Sequence, residues 1–390
     1  MRLSQTERAD ILRSAGATGS EVAELLAYGE VVFSRPDQPL EFPLADEPFV
    51  ADWEVYAREA ESDGVVPTLR GRLVQLRFPL VAGISESQAY RAATRTGAEP
   101  PPGTVALPLE QPEGIRLLLH PTAAGRIPVM VAATRPDFVA LVCALTRRNE
   151  PVPLPDSMGA CIVGGYNNWD RLGKLRRHWL TEHPNRPSAA WWTEGFPRIK
   201  SSRELYQDRF IVLSSGPYSA VSAGELGLSA GEWEQRSLHI RLEHECAHYF
   251  TRRVLGSMRN SLQDEIIADY VALVSSEGHY RSDWFLRFMG LEAYPRIRHG
   301  GRLENYRGTP PLSAGALRVL ATLVERIARN LGALERKAAA GETTLSQRAR
   351  EILALASYSL EALSLPDITS RILDPLKEPF DDRLILADTV

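Results

Sequence analysis

The pattern of apolar and polar positions changes character twice along this chain of 390 residues. Over 4–28 apolar residues recur at helical spacing, and Gly16 and Gly19 divide the stretch into two short helices. From 29 to 135 prolines and glycines punctuate short apolar runs. Leu73-Val74-Gln75-Leu76-Arg77-Phe78 and Gly114-Ile115-Arg116-Leu117-Leu118-Leu119 read as strands, and 97–103, with three prolines, as a loop. Pro136 suits the first turn of a helix over 137–147. After the Pro-rich break at 151–155 the pattern predicts a strand at 160–165 that ends in two glycines. A helix at 169–181 and a strand at 210–213 follow. From about 230 onward nearly everything is helical: 231–255, 261–277, a less regular patch to 310, then 313–338 and 343–362. There is no internal repeat. The pattern predicts an α+β fold, with a mixed region of unassigned role over 1–150 and a mainly helical domain over 151–390.

Composition narrows the class. Hydrophobic residues make up 44% and charged residues 24%, as in ordinary folded soluble proteins. A net charge of −4 supplies no basic face for nucleic acid. The most apolar stretch, 127–145, is cut by Arg135-Pro136-Asp137, so no membrane span is expected. The charged start, Met1-Arg2-Leu3-Ser4-Gln5-Thr6-Glu7-Arg8, lacks the apolar core of a signal peptide. Cys143, Cys161 and Cys246 cannot form a disulfide framework or a thiol-pair motif, which fits a reducing cytoplasm.

Candidate chemistry lies in His244-Glu245-Cys246-Ala247-His248. Positions four apart share a helix face, so His244 and His248 can point two imidazoles at one ion. Glu245, one position round, can reach water on that ion without ligating it, in the role of a general base. Gly231-Glu232-Trp233-Glu234 opens this helix, and Gly256 ends it after Arg252-Arg253. Leu238, Leu242, Cys246 and Tyr249/Phe250 form its expected buried stripe. The pentapeptide alone is weakly specific. The next helix adds to it, because Glu265 and Asp269 lie four apart, and the tight connection at 256–260 makes the helices antiparallel neighbours. Glu265 then becomes the third metal ligand, and Asp269 accepts the second N–H of a ligand histidine. Two histidines and a glutamate leave one position of a zinc ion open, the pattern of a catalytic site.

The pair His244-Glu245-x-x-His248 and Glu265-x-x-x-Asp269 resembles the gluzincin branch of zinc metallopeptidases, especially its compact members. The resemblance covers about residues 231–277, with sixteen residues between His248 and Glu265. It implies a metallopeptidase-like domain over 151–390, a Zn2+ cofactor and a peptide or protein substrate. It also implies a downstream histidine or tyrosine that stabilises the oxyanion, for which Tyr270, His279, Tyr280, His299 and Tyr306 are candidates. In that branch a strand before the motif helix binds extended substrate by edge addition, a role that falls on 208–214 here. Helices 313–338 and 343–362 would cover the back of the zinc helices.

Blander readings compete. The histidines and acids could be solvated helix faces, or the site a structural or vestigial zinc in a non-catalytic partner-binding protein. An intact Glu245 argues for chemistry, since neither ligation nor packing needs a carboxylate there. Cys246 points away from the histidines and reads as a buried small side chain. Gly164-Gly165 reads as a plain turn, the run from Arg171 to Arg177 as a solvated helix face, and the tryptophans at 169, 179, 191 and 192 as core.

Overall fold

In the computed structural model the described residues are 3–29, 33–34, 39–256, 261–335 and 344–377. Two short helices come first, α1 (Gln5–Ser14) and α2 (Gly19–Tyr28). They are followed by α3 (Val50–Asp63), α4 (Val65–Arg72), α5 (Gln88–Thr96), β1 (Arg116–His120) and β2 (Ile127–Val131). Next come α6 (Arg135–Thr146), β3 (Ala160–Asn167), α7 (Trp169–Glu182), α8 (Phe196–Ile199) and β4 (Gln207–Leu213). The remainder is helical: α9 (Ala230–Val254), α10 (Leu262–Glu277), α11 (Ser282–Met289), α12 (Ala314–Glu335), α13 (Leu345–Ala356), α14 (Leu360–Leu363) and α15 (Ile368–Lys377). The fold is α+β, mainly helical with a small mixed sheet. The turn expected at 257–260, positions 336–338 of one expected helix and position 343 of the next lie outside the described residues. Among the described residues no helix is long and apolar enough to cross a membrane.

The chain forms two compact units. One comprises the described residues of 1–44, 122–124 and 217–390, the other those of 45–121 and 125–216. Position 150, the expected domain boundary, falls inside the second unit, because strands from both sides of it share one sheet. The sheet runs β1-β2-β4-β3, with β2 parallel to β4 and the outer pairs antiparallel. Strand β4 is therefore interior, paired with β3 along its length and with β2 at Ile211–Leu213, and is not the free edge strand that addition of a substrate peptide needs. Phe210–Leu213 are all buried, as in a strand covered on both faces.

Several local expectations are corrected within this unit. Residues 73–78 form a 3-10 turn (Val74–Arg77), closed by Leu76 N–H to the Leu73 carbonyl at 3.0 Å. Burial of Leu73, Val74, Leu76 and Phe78 imitates strand alternation there. Helices α3, α4 and α5 were hidden by the Pro/Gly texture of 29–135. Gly164 and Gly165 lie within β3 at a register shift, where Gly165 has φ +74°. They make a bulge and not a turn. Arg171 is not solvated: it is buried and donates to Asp208 Oδ1 at 2.7 Å. Asp208 also accepts from Trp53 Nε1 at 2.9 Å and Asn168 Nδ2 at 2.6 Å. Trp179 and Trp191 are core, with Trp192 partly buried against them.

In the helical unit α9 begins with a reciprocal cap. Ser229 Oγ accepts from Glu232 N–H at 3.3 Å, and the Glu232 carboxylate accepts from Ser229 N–H at 3.0 Å. Helix α10 is buried at every position from Leu262 to Val274, as a helix apolar nearly all round must be. Ser261 caps its start, and Gly278 in the left-handed region ends it. The two helices are antiparallel: Arg236 pairs with Glu277, His239 with Ser275, His244 with Asp269 and His248 with Asp264. The buried stripe of α9 matches expectation at Cys246, Tyr249 and Phe250 and departs from it elsewhere. Leu238 and Leu242 are only half-buried, while Ile240, Cys246, Ala247, Tyr249 and Phe250 are buried. Helix α13 packs on both α9 and α10, whereas α12 packs on α2, α11, α14 and α15.

Candidate metal centre

The α9–α10 pairing brings His244, His248 and Glu265 together, all buried. The two Nε2 atoms are 3.0 Å apart. Glu265 Oε2 lies 3.4 Å from His244 Nε2, and Oε1 lies 3.6 Å from His248 Nε2. A tetrahedral ion with donors at about 2.0–2.1 Å requires donor–donor edges of about 3.3–3.4 Å. The triangle is thus the size of one face of such a site, and the group can hold a metal ion. Among the described residues it is the one group of three or more metal-ligating side chains.

Both rings are fixed from behind. His244 Nδ1 lies 3.0 Å from Asp269 Oδ1, and His248 Nδ1 lies 2.9 Å from Asp264 Oδ2. In the neutral tautomer protonated at Nδ1, each imidazole donates that N–H to a buried carboxylate and leaves the Nε2 lone pair for an ion. Asp269 occupies the supporting place expected of it. Asp264, immediately before Glu265, supports the other ring. Its signal lay in its position one residue round α10 from Glu265.

The electrostatics follow from burial and charge. Burial disfavours protonated His244, but hydrogen bonds to Asp269 and Glu265 outweigh it and hold the ring above the usual histidine range. His248 is held well above that range, against burial, by the charge of Asp264 and by hydrogen bonds to Asp264 and Glu265. Burial opposes the Glu265 carboxylate too, yet bonds to both imidazoles hold it well below the ordinary range. Glu245 is partly exposed. Burial raises its pKa, and the charges of His248 and His244 partly offset the rise, so its carboxylate lies within electrostatic reach of both imidazoles. Cys246 is buried, and desolvation pushes its thiol well up, so it is inert.

The downstream candidates separate clearly. Burial raises the Tyr306 hydroxyl pKa, the charge of Arg302 opposes the rise, and interaction with the Glu265 carboxylate adds to it. His299 is almost fully exposed beside Glu304. His279 is exposed, with Nδ1 2.9 Å from the Glu277 carbonyl. Tyr270 and Tyr280 are buried with their rings 5.5 Å apart. Two residues without any sequence signal complete the centre. The Tyr218 hydroxyl lies 2.9 Å from His244 Nδ1 and donates to Asp269 Oδ1 at 2.6 Å. Arg302 pairs with Asp269 Oδ2 and lies 3.6 Å from Glu265 Oε2. They sit 26 residues before His244 and 33 residues after Asp269. No helical or strand spacing connects residues so far apart.

No curated protein and no solved structure matches the chain. Residues 10–367 match the model of a family of unknown function, DUF7005, and the chain belongs to that family.

Proposed function

We propose that the chain is a zinc-dependent hydrolase, with a peptide or protein as its substrate. One observation carries this reading: the Nε2 atoms of His244 and His248 and the Glu265 carboxylate converge while each Nδ1 is held by its own carboxylate. Two nitrogens and one carboxylate oxygen are a donor set suited to zinc, and three protein ligands leave room for water. Bound zinc supplies Lewis acidity, which polarises a carbonyl and makes water nucleophilic near neutral pH.

The protein's own groups do the rest. Glu245, raised in pKa by burial against the opposing charges of both imidazoles, accepts the proton of the attacking water and passes it to the leaving nitrogen. Of the downstream candidates, Tyr306 interacts electrostatically with Glu265, which supports it as the donor for charge that develops on the carbonyl oxygen. Asp264 and Asp269 keep both rings in the tautomer that ligates. Three free thiols, Cys143, Cys161 and Cys246, are consistent with a reducing cytoplasm.

The test is metal content and hydrolysis of a fluorogenic peptide library by wild type, Glu265→Ala and Glu245→Gln. Wild type is expected to carry one equivalent of zinc and Glu265→Ala to lose it. Glu245→Gln should keep its zinc and lose hydrolysis by about 10²–10⁴-fold. Wild type without stoichiometric zinc would sink the metal centre. A Glu245→Gln variant as active as wild type would sink the catalytic role.

A further inference from the structure

Arg302 opens the 3-10 turn Arg302–Tyr306, and nothing in the hydrolytic reading uses it. Its side chain is only 15% exposed. Nη1 donates to the Tyr218 hydroxyl at 2.9 Å and to Ser219 Oγ at 3.0 Å. Nη2 pairs with Asp269 Oδ2 and lies 3.6 Å from Glu265 Oε2. The guanidinium also lies over the Tyr218 ring, 5.5 Å from its centroid.

The contacts form a chain that ends on a metal ligand. Asp269 is fully buried, and both of its oxygens are held: Oδ2 by Arg302, Oδ1 by the Tyr218 hydroxyl and by His244 Nδ1. Without the guanidinium, the carboxylate could rotate about its Cβ–Cγ bond, and Oδ1 would leave the line of the imidazole N–H. The rigid fork of arginine meets Asp269 and Tyr218 at once, which a lysine ammonium does less well. The turn that delivers Tyr218 is itself strained. Ser219 and Ala220 both have left-handed backbone, with φ +51° and +56°. Residues with a β-carbon hold that conformation where surrounding contacts demand it, and such residues gather at functional sites. Arg302 binds the Tyr218 hydroxyl and the Ser219 hydroxyl together across this turn.

We infer that Arg302 is a positioning residue of the metal centre: through Tyr218 and Asp269 its guanidinium fixes the ring of His244 so that Nε2 faces the ion. This rests on the metal centre proposed above, and the experiment separates the two. Zinc affinity of the full chain is measured by competition with a chromophoric chelator, zinc being the probe. Wild type is expected to bind one equivalent. Arg302→Met should bind about 10–100-fold more weakly, the usual effect of losing a group that orients a ligand. Arg302→Lys should recover part of that loss. In an Asp269→Asn background, Arg302→Met should add less than about threefold, since residues that act in series are not additive.

Wild-type-like affinity in Arg302→Met, or full additivity in the Asp269→Asn background, overturns the inference and leaves the metal centre standing. Wild type that binds no zinc overturns both. If Arg302→Met does not fold, Tyr218→Phe removes only the hydroxyl of the same chain. An affinity drop of about tenfold then supports the inference, and unchanged affinity overturns it.

Discussion

Replacing Asp264 by asparagine probes the centre at the ring the resemblance did not equip with a partner. Asp264 is 1% exposed, and its Oδ2 lies 2.9 Å from His248 Nδ1. Asparagine keeps the shape and can still accept the N–H through its amide oxygen, but the charge is gone. The imidazole becomes less basic toward an ion, for which a loss of about 10–100-fold in affinity is expected, or about 1.4–2.7 kcal/mol. A second effect opposes the first. In the metal-free chain His248 is held well above the usual histidine range, against its burial, by the charge of Asp264 and by hydrogen bonds to Asp264 and Glu265. An entering ion must displace that proton, so the affinity of wild type rises with pH through the raised value. In Asp264→Asn the proton is held less tightly, competition ends at lower pH, and affinity levels off sooner. The gap between wild type and variant should therefore widen from pH 6.5 to pH 8.5. Chelator competition at the two pH values reads it directly. A gap that narrows as pH rises, or affinities within twofold at the higher pH, would refute the assignment of Asp264 to His248. The metal-free wild type carries the matching stability signature. The raised His248 pKa contributes stability fully present below the unfolded value and lost as pH rises through the folded one, whereas the zinc-loaded form should not show that loss.

Two further outcomes test the scaffold. Arg171→Met leaves Asp208 buried without its cation, and breaking such a pair costs about 3–5 kcal/mol, measurable by chemical denaturation of the full chain; a change below about 1 kcal/mol would show that the hydrogen bonds from Trp53 and Asn168 suffice. Ala220→Gly relieves a left-handed residue at φ +56°, so denaturation should find the variant unchanged or up to about 1 kcal/mol more stable, and a clear loss would mean that this turn is not strained.

The site and the scaffold were legible to different degrees. A four-residue spacing on each of two helices, joined by a short connection, was enough to bring His244, His248, Glu265 and Asp269 together, because helix geometry alone sets which side chains share a face. Acidic residues in its first turn and a closing glycine marked α9, and a long apolar period marked α10, for the same local reason. Helices α3, α4 and α5 escaped because their burial depends on partners elsewhere in the chain, and the prolines and glycines around them masked the period. Residues 73–78 show the converse: an alternating pattern records which side chains are buried, and a 3-10 turn buried them as well as a strand would have. The role of β4 was likewise undecidable from its own residues, since Phe210–Leu213 read as a strand at an edge or at the centre, and only pairing with β2 and β3 placed it inside.

What the sequence by itself determined is local: the helices that carry His244, His248 and Glu265, the phase of those side chains, and the position of Glu245 next to His244 in the chain. The tertiary structure alone decided the long-range part, the closure of Tyr218 and Arg302 onto Asp269 and the sharing of one sheet across position 150. The physical reason is sequence separation. Spacing along one helix is fixed by 3.6 residues per turn, but a contact between residues dozens of positions apart follows only from the packing of the elements that carry them.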